Sequence, residues 1–166
     1  MEIIYPVPIV SAIIEREHSG EIEVLMQTRW KPEKDKKYSG TLEIPAGTLG
    51  KHENVYNALK REVLEETGLN VIGFRPDIKT RTYNQKADNS FAFVPFCCQQ
   101  QTNQLARVGF VFICTVEDKD PVPAPSETKD IHWLKTKELR AILEQTPEKI
   151  FTFQLGALDY YLNYNR

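Results

Sequence analysis

The sequence is short of several things, and each shortage excludes a class of protein. No apolar run approaches the ~18 residues needed to cross a membrane. The start, Met1-Glu2-Ile3-Ile4-Tyr5-Pro6, lacks the basic-then-apolar order of a secretory signal. Cysteine is scarce: Cys97 and Cys98 are adjacent and Cys114 stands in an apolar run. An odd count without framework spacing is unlike a secreted disulfide scaffold, and no CxxC pair suggests structural zinc. The bland reading of these thiols is small half-buried or buried side chains in a reducing compartment, which points to the cytoplasm. Charge excess is also missing. Against 23 Asp and Glu stand 21 Lys and Arg, a net charge of −2, which argues against a protein that coats nucleic acid. A small polyanionic substrate stays open, because a site needs only local charge. Internal repeats and low-complexity tracts are absent.

What is present suits one globular domain over residues 1–166, 41% of them hydrophobic. Residues 7–15 and 21–28 read as a β-hairpin around His18-Ser19-Gly20. The loop from Arg29 to Lys37 then carries five basic residues against two acids. Thr41 to Ile44 reads as a short strand entering the turn Pro45-Ala46-Gly47. Residues 54–67 read as a helix closed by Gly68, which suits a left-handed C-cap. Short strands are expected near Val71-Ile72 and over Phe91–Cys97, the second on an edge or bulged because of Pro95. Residues 107–116 are apolar on both faces, as a central strand requires. An acidic loop kept extended by Pro121, Pro123 and Pro125 leads to a last strand at Ile131–Leu134. Thr136 can cap a short helix that turns Leu139, Ile142 and Leu143 to one side. Thr146-Pro147 is expected to start a C-terminal helix. The order implies a mixed α/β (α+β) architecture rather than a regular βαβ series.

The most informative stretch is the helix. On a wheel at about 100° per residue with Val55 at zero, Ala58, Leu59 and Val63 mark one apolar face. Glu62 and Glu66 fall about 20° either side of Val55, inside that face, and Glu65 borders it. A run of Glu on a helix is usually a solvated face. Carboxylates set against a core must instead protonate, pair or bind a cation. Three acids at i, i+3 and i+4 also repel one another unless positive charge sits between them. Hard cations such as Mg²⁺ or Mn²⁺ take oxygen ligands of this kind. Arg61 stands four residues before Glu65 and can pair with it, and Glu53 can reach back to Arg61 or to the acid cluster.

Residues 47–69 resemble the box of the Nudix hydrolase family, G-x5-E-x7-R-E-U-x-E-E-x-G-U with U a bulky aliphatic residue. Gly47, Glu53, Arg61, Glu62, Val63, Glu65, Glu66, Gly68 and Leu69 fill every fixed place. The box spans about one-seventh of the chain, a far more specific signal than a lone GxGxxG. The resemblance implies a mixed β-sheet sandwiched between α-helices. It implies divalent-metal-dependent hydrolysis of a phosphoanhydride bond in a nucleoside diphosphate linked to a further group. By motif position, Glu62, Glu65 and Glu66 would be metal ligands, with the Gly47 carbonyl completing the site. Arg61 would orient the glutamates, and Glu53 would support the metal or its water. The general base varies in the family. Glu127 is the distant alternative to a glutamate of the box, and a solvated loop acid is its ordinary reading.

Arg29, at the end of the second strand, is the leading candidate to contact substrate phosphate, with Arg81 and Arg107 behind it. Trp30, Tyr83, Phe91 and Phe110 are unranked candidates to stack on a base, and Trp133 reads as core. Of the substrates, a nucleoside triphosphate is favoured. The ADP-ribose-cleaving subgroup often has Pro about sixteen residues past the box, where this chain has Gln85. Glu43 before Pro-Ala-Gly still suggests nucleotide-sugar enzymes, so ADP-ribose is the runner-up. A non-catalytic nucleotide-binding module and a structural domain with an acidic helix are the rivals from other classes. Whether the chain forms a homodimer is not legible.

Overall fold

The computed structural model describes residues 5–77, 80–85, 88–102 and 106–164. The expected first hairpin forms from β1 (Val7–His18) and β2 (Glu21–Arg29). Ser19 and Gly20 both take positive φ, 52° and 76°, the twist a two-residue hairpin turn needs. Two short strands follow, β3 (Leu42–Glu43) on β2 and β4 (Ala46–Thr48) on β1. Next come helix α1 (Val55–Thr67) and strand β5 (Val71–Arg75). β6 (Arg81–Gln85) and β7 (Asp88–Ala92) form a separate antiparallel pair. After β8 (Cys97–Gln101), β9 (Arg107–Val116) and β10 (Thr128–Lys135), the chain ends with α2 (Thr136–Gln145) and α3 (Leu155–Tyr164).

The main sheet runs β10-β2-β1-β9-β5, and β8 also pairs with β9. It is mixed, because β1 and β9 are parallel whereas the other named pairs are antiparallel. β9 is central as its two-sided hydrophobicity requires, with Val111, Phe112, Ile113 and Cys114 buried. Alternation along β1 sends Val10, Ala12 and Ile14 toward Leu59 and Val63 of α1. Ile13, with Val24 and Met26 of β2, packs instead on Leu139 of α2 and Leu158 and Tyr161 of α3. Helices therefore cover both faces of the mixed sheet. No helix among the described residues is long and apolar enough to cross a membrane.

Four local expectations change. Phe91–Cys97 is not one strand: β7 ends at Ala92, and residues 93–96, with Pro95 unable to donate, separate it from β8. The β6–β7 pair was not expected, because its residues are almost all exposed and show no apolar alternation. Lys135, not Thr136, is the N-cap of α2. Thr146-Pro147 opens only a 3-10 turn, Pro147–Lys149. Ile150 and Phe151 are then drawn onto the sheet, where Phe151 N–H donates to Leu42 C=O at 2.8 Å, and α3 begins later at Leu155. The thiols are free, and burial pushes Cys97 up to about 11 and Cys114 to about 12, so both stay protonated.

Candidate active site

α1 is set by its ends. Asn54 Oδ1 accepts from Tyr56 N–H at 2.9 Å, and Gly68 at φ 70° closes the C-terminus onto Leu64 C=O. Between them the wheel is realised unevenly. Glu66 is 2% exposed among Val63 and Thr67, Glu62 is half-buried, and Glu65 is exposed.

Arg61 organises the exposed side of this face. Its Nε and Nη2 grip both oxygens of Glu53 at 2.9 Å, a planar fork on a carboxylate. Nη1 donates to Glu62 at 2.7 Å and Glu65 at 3.1 Å, and Nη2 also reaches Thr48 C=O at 3.2 Å. Arg61 is thereby held well above its ordinary pKa, first by Glu53, and Glu53 well below its own, first by Arg61. Glu53 also accepts from Gly50 N–H at 3.0 Å.

β4 forms the facing wall. The Glu62 carboxylate lies so close to Gly47 that an added Cβ would meet its Cδ at 1.9 Å. Glu66 turns inward, and its Oε2 accepts from Ala46 N–H at 3.0 Å and Gln27 Nε2 at 2.8 Å. Burial first, then the charge of Glu43, pushes Glu66 up to about 8. Burial likewise raises Glu62.

The proline-punctuated loop brings the distant acid. Val122 N–H and Ala124 N–H donate to the carbonyls of Thr67 and Glu66, and Thr128 Oγ1 reaches Glu66 C=O at 3.3 Å. These bonds satisfy carbonyls at the end of α1 and lay the loop across it. Glu127 then faces the box and accepts from Lys31 Nζ at 2.8 Å, which holds it below the usual carboxylate range. One cavity of ≈ 420 Å³ is lined by Gly47, Glu62, Glu65, Glu66, Glu127 and Lys31.

The other candidates lie elsewhere. Arg29 does not line that cavity; its guanidinium pairs with Glu43 at 3.0 Å and Asp35 at 2.8 Å and stands over Phe151. Arg81 is on the exposed β6–β7 pair, with Tyr83. Phe91 and Phe110 pack against the α1 side of the core, as does Trp133, which Arg16 covers. Trp30 lies under Lys129. Sequence reasoning passed over Lys31 and Gln27. No local pattern marks Gln27, because its face of β2 also carries Glu21, Glu23 and Arg29.

The arrangement can hold a hard cation. As they stand, Glu62 and Glu65 are turned onto Arg61, and among the described residues no three acids converge as a ready-made metal site. The donor set still fits: four carboxylates face one cavity, two with raised pKa, and the Cβ-free wall at Gly47 lets Glu62 lie flat. Arg61 keeps Glu53 and Thr48 as partners if Glu62 and Glu65 swing to a metal.

The NUDIX domain family matches residues 6–154, and the chain belongs to the Nudix hydrolase family. A Nudix domain implies a pyrophosphohydrolase in general, and such enzymes generally use divalent metals such as Mg²⁺. The fold is shared with a MutT protein from Methanosarcina mazei Go1, at 17% identity over 99% of both chains and a TM-score of 0.65. A NUDIX hydrolase from Nitrosomonas europaea is 20% identical over 97% of this chain and 90% of its own, with a TM-score of 0.63. The NUDIX domain of Shewanella oneidensis NrtR, solved as a complex with ADP ribose, is 15% identical over 99% and 91%, with a TM-score of 0.63. No curated protein matches the chain.

Proposed function

We propose that this protein is a cytoplasmic nucleoside triphosphate pyrophosphohydrolase, acting as a single domain with Mg²⁺ or Mn²⁺. The observation that carries this reading is the single cavity faced by Glu62, Glu65, Glu66 and Glu127. In this reading Glu62, Glu65 and Glu66 hold the metal with the Gly47 carbonyl, and Arg61 and Glu53 fix the rotamers around it. A bound divalent cation would neutralise pyrophosphate charge and make its water more acidic. Glu127, kept ionised by Lys31, takes the proton of the attacking water. Lys31 Nζ, on the same wall, offsets charge on the departing phosphate.

Retention of all the box carboxylates supports an enzyme over a non-catalytic nucleotide-binding module. A second reading, hydrolysis of ADP-ribose or another nucleotide sugar, draws on Glu43 in Glu-Ile-Pro-Ala-Gly and on the ADP-ribose complex of the NrtR domain. Incubation with nucleoside triphosphates, ADP-ribose and dinucleoside polyphosphates in Mg²⁺ or Mn²⁺ separates these. Pyrophosphate release from triphosphates is expected. Turnover confined to ADP-ribose would replace the first reading by the second, and tight nucleotide binding without turnover would favour the binding module.

A further inference from the structure

The cleft continues behind Gly47. A smaller cavity of ≈ 170 Å³ shares Lys31 and Gly47 with the carboxylate cavity and is walled at its other side by Arg29 with its partner Glu43, and by Arg107, Phe151 and Phe153. It is well below the ~300–1,000 Å³ of pockets that enclose a whole drug-sized ligand, so it suits one group of a larger substrate.

Two guanidinium groups stand on one ring there. Arg29 Cζ lies 4.6 Å from the Phe151 centroid, and Arg107 Cζ lies 5.7 Å from it and 6.0 Å from that of Phe153. Their surroundings differ. Arg29 is neutralised by Glu43 and Asp35. Arg107 donates from Nη1 to the neutral Gln101 Oε1 at 2.6 Å, and no carboxylate among the described residues lies within ion-pair distance of it. Burial, then the charge of Arg29, pulls its pKa below the ordinary value, with only longer-range help from Asp35 and Tyr38. A half-buried cation beside a second cation is stabilised by an anion, and a guanidinium fork matches phosphate oxygens. The two cavities share Lys31, Ala46, Gly47 and Thr48, so they adjoin closely enough for one extended ligand to enter both.

We propose that Arg107 seats a third phosphate, beyond the two that flank the cleaved anhydride, and so selects nucleoside triphosphates over substrates with only two phosphates. This rests on the hydrolase reading above and names the residue that sets its substrate class.

The test compares wild type with Arg107→Met, which keeps the apolar contact with the rings, and Arg107→Lys, which keeps the charge. For Arg107→Met the ratio of kcat/KM for triphosphates to that for ADP-ribose should fall about 10- to 100-fold, the worth of a charge-assisted hydrogen bond. The loss should lie in KM, and Arg107→Lys should recover part of it. An unchanged ratio would overturn the proposal. Calorimetric titration of Mg²⁺-loaded protein with inorganic tripolyphosphate and pyrophosphate gives a readout without turnover. Wild type should prefer tripolyphosphate, and Arg107→Met should lose that preference. If wild type hydrolyses nothing, the hydrolase reading fails while the titration still decides the role of Arg107. If wild type hydrolyses triphosphates but shows no tripolyphosphate preference, only the Arg107 proposal falls.

Discussion

The Glu62 carboxylate lies against the Cα of Gly47, with room for a hydrogen and none for a methyl group: a Cβ there would stand 1.9 Å from Glu62 Cδ and 2.0 Å from Oε2. Gly47→Ala therefore displaces Glu62 rather than the backbone, because the clash is with the far end of a flexible side chain. Misplacing a ligand by about 1 Å can cost 10²-fold in rate. Gly47→Ala should lower kcat/KM by about that factor and leave the far-ultraviolet circular dichroism spectrum unchanged. Steady-state kinetics at saturating Mg²⁺ measures the first. Full activity would mean that Glu62 is not held where the site needs it.

Glu66 predicts an inverted pH dependence of stability in metal-free protein. Its folded pKa, about 8, is above that of an unfolded carboxylate. Between the two values the folded state holds a proton that the unfolded state has lost, so stability falls as pH rises through that window. Glu62 shifts in the same direction, and Glu53 and Glu127 in the opposite one. Glu66 is the most buried of the four-acid cavity and dominates. With EDTA, the melting temperature should drop from about pH 5 to pH 8. Mg²⁺ competes with that proton, so its stabilising effect should grow over the same range. A Mg²⁺ shift independent of pH would contradict this, and scanning calorimetry reads both.

Gln27 tests how Glu66 is held. Its Nε2 donates to Glu66, but its Oε1 is buried with no partner among the described residues. Gln27→Leu removes a buried hydrogen bond and an orphaned acceptor together, each worth about 1–3 kcal/mol with opposite sign. Stability should change by less than about 1 kcal/mol in urea unfolding while activity falls about tenfold or more. A large loss of stability with normal kcat would make Gln27 a purely structural residue.

Lys31 and Glu127 make a paired prediction. Glu127→Gln should lower kcat by about 10²-fold or more, the usual worth of a general base, with KM little changed. Lys31→Met removes the partner that depresses Glu127, so the acidic limb of the kcat profile should move to higher pH. An unmoved limb would return the base role to a glutamate of the box.

Much of this site can be read in the chain before folding, because its information is local. The spacing from Gly47 to Leu69 is one contiguous stretch, and the Gly68 cap and the inward place of Glu66 follow from the period of one helix. The wheel sets Glu62 inside the apolar face, yet it is only half-buried, since burial there depends on what covers the end of α1. That cover is the loop tied down by Val122, Ala124 and Thr128, and those bonds join residues far apart in the sequence. Arg29 and Arg107 share the same difficulty. Nothing local shows that Asp35 and Glu43 would satisfy one guanidinium and leave the other on Phe151 without an acid among the described residues. The β6–β7 pair escaped for the opposite reason: it buries too little to leave a hydrophobic pattern.

The most direct test of the central claim is pyrophosphate release from a nucleoside triphosphate panel, wild type against Glu65→Gln combined with Glu66→Gln, with Mg²⁺ and with EDTA. Wild type should turn over in Mg²⁺ alone, and the double variant should be inactive although folded. Turnover that survives in the double variant would contradict the assignment of this carboxylate cavity as the metal-dependent active site.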